Sequence, residues 1–156
     1  MLKTFVTALL GVMVFASSAV AEMAETIARN DKNTSWLFIS TANKLSFNGT
    51  TVTLSEVSPR IVMFADRPRR VADTVSVQDF VDGWAKGKDN SFQSSPPNAG
   101  FTVWVDGAYQ VSVMQLSDPA YDGRNLSFKV KSVKGQLPKS GEQTSIFIDW
   151  CNQIMC

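Results

Sequence analysis

From Ser35 onward, apolar residues arrive in short runs closed by turn residues, a layout that predicts an all-β chain. Trp36-Leu37-Phe38-Ile39 opens a strand. Leu45-Ser46-Phe47 and residues 50–54 alternate about Asn48-Gly49, a dipeptide suited to two-residue hairpins because both positions take positive φ. That turn sets Leu45 opposite Val52 and Phe47 opposite Thr50, with Leu45, Phe47, Val52 and Leu54 on one face. Residues 61–65 (IVMFA) are apolar throughout and predict a central strand covered on both faces. A second hairpin centres on Asp106-Gly107, joining residues 101–105 to residues 108–116 with Trp104 across from Tyr109. Leu126, Phe128 and Val130 alternate with Ser127, Lys129 and Lys131, the pattern of a strand with one wet face. Residues 145–150 (SIFIDW) supply the last strand.

One segment has the other period. Val77, Phe80, Val81 and Trp84 recur at i, i+3, i+4 and i+7, behind a Ser76-to-Asp79 capping box and ahead of Lys86 and Gly87 as stop signals. This predicts one short helix over about 76–86, its apolar stripe lidding the sheet or one end of a sandwich. Residues 86–100 read as an ordered loop. The expected fold is mainly β, an antiparallel β-sandwich or barrel with one short α-helix, in a single domain over residues 35–150. Residues 22–34 are a polar lead-in and residues 151–156 a tail.

The first 21 residues read as an address. Lys3 is followed by 13 apolar-rich residues (4–16) and a small-x-small ending at Ala21, the layout of a signal peptide cleaved there. The apolar run is short of the roughly 20 residues a membrane helix needs. The chain is therefore expected to be exported, periplasmic or secreted, with no membrane span after cleavage. In such a compartment Cys151 and Cys156 most simply form one disulfide, whose small loop is worth at most about 2 kcal/mol. Their spacing does not match thioredoxin-like motifs, and two thiolates make a poor metal site, so no metal is expected.

Composition narrows the chemistry. The 156 residues hold 15 Lys+Arg, 14 Asp+Glu and no histidine. Without histidine there can be no Ser-His-Asp triad, no Cys-His pair and no His-based zinc site. Losing Lys3 with the leader leaves 14 basic against 14 acidic residues, so nucleic acid is not an expected partner. No glycine-rich phosphate loop or Ser-x-x-Lys helix start is present, and no cofactor is expected.

The most distinctive stretch is Asp66-Arg67-Pro68-Arg69-Arg70. Guanidinium groups at this density suit a carboxylate or phosphate, which makes Arg67 and Arg70 candidates for a small anionic ligand. The structural alternative pairs Asp66 and Asp73 with these arginines in a fixed corner. Asn98, after Pro96-Pro97, either caps a turn or contributes to a ligand site. Four tryptophans with Tyr109 and Tyr121 could form a sugar platform. Trp84 suits the helix stripe and Trp104 the hairpin, which leaves Trp36 and Trp150 as the ones free to be exposed. Lys129, Lys131, Lys134 and Lys139 read as a solvated face.

The elements Val57-Ser58-Pro59, residues 64–70 (FADRPRR), Phe80, Trp84, Phe92 and residues 96–99 (PPNA), continuing through Leu116, Pro119, Tyr121 and Leu126, resemble a family of secreted bacterial proteins with no established activity. The resemblance spans about residues 36–150 and implies bacterial origin and one exported domain. It transfers no catalytic residue, and it draws attention to Asp66, Arg67, Arg70 and Asn98. The sequence thus points to a non-catalytic binding or structural domain with a small anion or a protein as partner. The alternative is a carboxylate-dependent hydrolase of unknown substrate, with Asp66 as its candidate carboxylate.

Overall fold

A computed structural model describes residues 35–65, 70–86 and 91–150. Along those residues run β1 (Trp36–Phe47), β2 (Thr51–Val57), β3 (Arg60–Ala65), β4 (Ala72–Ser76), α1 (Val77–Gly83), β5 (Asn98–Val105), β6 (Ala108–Tyr121), β7 (Leu126–Lys134) and β8 (Ser140–Trp150). The strands form one antiparallel sheet in the order β2-β7-β6-β5-β8-β1-β3-β4, and a further β2–β1 pairing joins its first strand to its sixth. Six strands therefore close into a barrel, and β3 and β4 extend from it as a hairpin. The mainly β expectation holds, and of sandwich and barrel it is the barrel that forms.

Closure depends on β1. One of its edges pairs with β8 along its length, from Trp36↔Trp150 to Ser46↔Ser140. The other edge is shared: its residues 36–39 pair with β3, and its residues 42–47 pair with β2. Ser58-Pro59 fills the junction, where Ser58 N donates to Thr41 O at 2.8 Å and Pro59 brings no N–H that would need a partner. One side of the wall points inward, with Phe38, Leu54, Phe101, Leu116, Phe128 and Ile146 all buried.

The helix closes over this core. Ser76 caps it by accepting from Asp79 N at 3.0 Å while its hydroxyl donates to Asp79 Oδ2 at 2.5 Å. Val77, Phe80 and Trp84 are buried, as the period required. Phe80 packs on Phe38 and Trp84 on Phe128, with ring centroids 5.3 and 5.7 Å apart, and Phe92 stands 4.8 Å from Trp84. The α-helix ends at Gly83, short of the expected 86. Trp84 N and Lys86 N bond back to Val81 O and Gly83 O in three-residue turns, which carry Trp84 onto the core beyond the helix proper.

Several expectations are corrected. In the first hairpin Phe47 faces Val52 and Leu45 faces Leu54, two residues away from the expected register. The side-chain amide of Asn48 is the cause: its Oδ1 accepts from Thr50 N and Thr51 N, and of the Asn-Gly pair only Gly49 has positive φ. A slip of two residues keeps every side chain on its face, so the shared face survives. β3 is paired on both edges but covered on one side only: Ile61, Met63 and Ala65 are buried, while Val62 and Phe64 are 45% and 37% exposed. Among the described residues no second layer covers the outer wall there. Strand starts also move: β8 begins at Ser140, β5 already at Asn98, and β4 carries no apolar signal strong enough to announce it.

Candidate functional site

Of the sequence candidates only Arg70 and Asn98 fall among the described residues, and they belong to different parts of the sheet. Asp66 and Arg67 lie outside the described residues, as do Arg69, the leader and lead-in of residues 1–34, and the Cys151 and Cys156 pair. Arg70 is exposed with φ 49° at the end of the β3–β4 connection. Asn98 is exposed and opens β5, in register with Gln115 and Asp149, and so forms part of a ladder where a turn cap was one expectation. β8 and β1 lie between β5 and β3, which puts roughly 14 Å between the two strands at ordinary spacing. Asp73 places Oδ1 on Thr74 N at 2.7 Å. Among the described residues Arg60 engages this hairpin: its Nε and Nη2 donate to Thr74 Oγ1 and its Nη2 also donates to Thr74 O.

A different set of residues converges on the outer wall of the barrel. β1 keeps an unbroken register with β8 through Ala42↔Thr144, Lys44↔Glu142 and Leu45↔Gly141, and with β2 through Ala42↔Val57 and Lys44↔Ser55. Yet Ala42 and Leu45 are both buried, with Asn43 and Lys44 both exposed between them. Strict alternation is broken without an inserted residue. The backbone on either side of Asn43 accounts for it: Glu56 on β2 and Gln143 on β8 both sit in the left-handed region, with φ of 54° and 44°. Such a conformation costs a non-glycine residue about 1–3 kcal/mol. Its effect is to turn neighbouring side chains to the same outer side, so Glu142 and Gln143 are exposed together as well.

These residues interlock. Asn43 Nδ2 donates to Glu56 Oε2 at 2.6 Å, and Arg124 Nη2 donates to Glu56 Oε1. Arg124 is itself held by its backbone, since its carbonyl accepts from Val57 N and its N–H donates to Asp122 Oδ1. Toward the other end, Trp104 on β5 is in register with Glu142 and with Tyr109 on β6. The Trp104 and Tyr109 rings meet edge to face at 4.8 Å, and Tyr109 Oη donates to Gln143 Oε1 at 3.1 Å. Tyr109 is 57% exposed. Trp36, by contrast, is buried, and the Trp150 side chain lies outside the described residues; on the outer wall exposed Tyr109 packs on half-buried Trp104.

Electrostatically the row is balanced: Lys44 and Arg124 stand beside Glu56 and Glu142. The Asn43 amide, then the Arg124 guanidinium, hold the Glu56 carboxyl below its ordinary value. Asp122 is lowered by the Asn125 backbone N–H and side-chain amide and by the Arg124 N–H. Both carboxylates are thus fixed as ionised acceptors, the opposite of what a general acid requires. Among the described residues no group of three His, Cys, Asp or Glu side chains could hold a metal ion, and no helix is long and apolar enough to cross a membrane. The row can align a ligand through amide, carboxylate, guanidinium and aromatic groups.

Sequence reasoning missed this row because its members are far apart in the chain and look ordinary one by one. The hairpin pair Trp104 and Tyr109 was its one legible part. The expected lysine face is exposed throughout, with Lys129 paired to Asp118 at 2.9 Å. No protein-family model, no curated protein and no solved structure matches the chain.

Proposed function

We propose that this is an exported, non-catalytic binding domain, periplasmic or secreted after loss of residues 1–21 and closed at its tail by a Cys151–Cys156 disulfide. Its ligand lies along the outer row from Arg124 to Tyr109. The observation that carries the reading is the strained backbone at Glu56 and Gln143, which flanks Asn43 on both sides and turns polar side chains of three adjacent strands outward together. Strain held at one level of a wall is a signature of a working surface. The downward displacement of Glu56 and Asp122 speaks against using either as the acid of a hydrolase. An anion at Arg70 has less support, since Arg70 sits in the β3–β4 connection while β8 and β1 lie between β3 and the β5 that carries Asn98.

The test is co-sedimentation of the mature protein with purified cell envelopes of its host. The native protein is expected in the pellet. A Trp104→Ala/Tyr109→Ala variant, with its fold checked by circular dichroism, is expected in the supernatant. Equal distribution of the two proteins would remove the row from the function.

A further inference from the structure

We propose that the outer row binds a neutral, hydroxyl-rich carbohydrate chain laid across the strands, a proposal that rests on the binding reading above and names its ligand class. Three features point to it. The first is chemical: the row couples an exposed aromatic ring, Tyr109 braced by Trp104, to the planar groups of Gln143, Asn43, Glu56 and Arg124. A pyranose offers a C–H face that packs on an aromatic ring, and neighbouring hydroxyls that each donate and accept toward amides, carboxylates and guanidinium groups. The second is charge. Arg124 is neutralised on Glu56, and Lys44 stands in register with Glu142, so the row favours neither a polyanion nor a polycation.

The third feature is shape. The row lies on the convex outside of a closed barrel and crosses β2, β1, β8, β5 and β6, about 19 Å at ordinary strand spacing. A compact metabolite would meet only one end of it. An extended chain meets all of it, with successive sugar rings on successive strands. The left-handed φ of Gln143 presents that side chain next to Glu142 on the same side, so hydrogen-bonding groups stand on both flanks of the path.

The experiment titrates the mature full-length protein with cellohexaose, maltohexaose and chitohexaose separately, read by tryptophan emission and calorimetry. At least one hexasaccharide is expected to bind, with its disaccharide at least tenfold weaker. Tyr109→Ala and Gln143→Gly are each expected to weaken binding at least tenfold. Gln143→Gly guards against a trivial loss of fold, because glycine accepts a φ of 44° without strain. The envelope assay is then repeated on envelopes treated with periodate, which cleaves vicinal diols, or with protease. Hexasaccharide binding that depends on Tyr109, or row-dependent retention that periodate abolishes, supports the proposal. Failure of all three sugars with row-dependent retention that survives periodate overturns the carbohydrate class and leaves the binding reading standing. Retention that never depended on Trp104 and Tyr109 overturns both.

Discussion

Glu56 holds two partners at once, Asn43 and Arg124, and its depressed titration makes that grip pH-dependent. A carboxylate whose folded-state value lies below its unfolded one contributes stability above the unfolded value and loses it as pH falls through the folded one. Glu56→Gln should therefore lower the melting temperature slightly at pH 7. The gap to the native protein should close as pH drops below the ordinary value of 4.5. Melting curves from pH 7 to pH 2 check this, and a gap that widens in acid would contradict it. Gln143 offers the complementary case. Glycine in a strand interior normally destabilises by about 0.5–1 kcal/mol, but relief of a left-handed φ offsets that cost. Gln143→Gly should leave the melting temperature unchanged or raised, whereas glycine at the nearby half-buried Ser145 should lower it. None of this was visible in the sequence. A glutamate and a glutamine inside strand-like stretches carry no mark of positive φ, and only the register of three strands around Asn43 reveals why they take it.

Among the elements, the helix was the most legible, since a 3.6-residue period and a Ser76 cap can be read from a dozen adjacent residues. Its energetics follow from the same residues. Ser76→Ala removes the acceptor for Asp79 N and should cost about 1 kcal/mol. Phe80→Ala empties the contact between Phe38, Trp84 and Phe92 and should cost about 3–5 kcal/mol. Urea denaturation of both variants, with an unchanged m-value, measures the two and their ratio. The hairpins show how far local signals reach. Asp106-Gly107 gave its register correctly because both residues take positive φ. Asn48-Gly49 did not, because the Asn48 side chain captured two backbone N–H groups and moved the turn on by one residue. β4 escaped notice because only Val75 of its five residues is buried. The arginine stretch drew attention through composition alone, and composition does not say that β8 and β1 separate β3 from the strand that carries Asn98.

At the scale of the molecule, the barrel is a circle of six pairings, and tight fits on that circle should be costly to disturb. Gly141 is one. A methyl group there would lie 2.3 Å from Val103 Cγ1 and 2.9 Å from Trp104 O. Gly141→Ala should destabilise by about 1–3 kcal/mol through overpacking, readable as a lower urea midpoint. An unchanged midpoint would mean that β5 and β8 have slack at that level.

The order of strands around the circle carries a temporal consequence. β8, the last strand of the described chain, is seated between β1, the first, and β5. The wall therefore has a gap until residues 140–150 are in place. Any form that contains β1 and β5 but not β8 leaves an edge of each without its native partner. Pairings this distant in sequence also make folding slow by nature. A chain ending before Ser140 should show no cooperative melting transition. A chain held extended up to Ser140 would have no finished barrel to pull apart, because β8 is the strand that completes it.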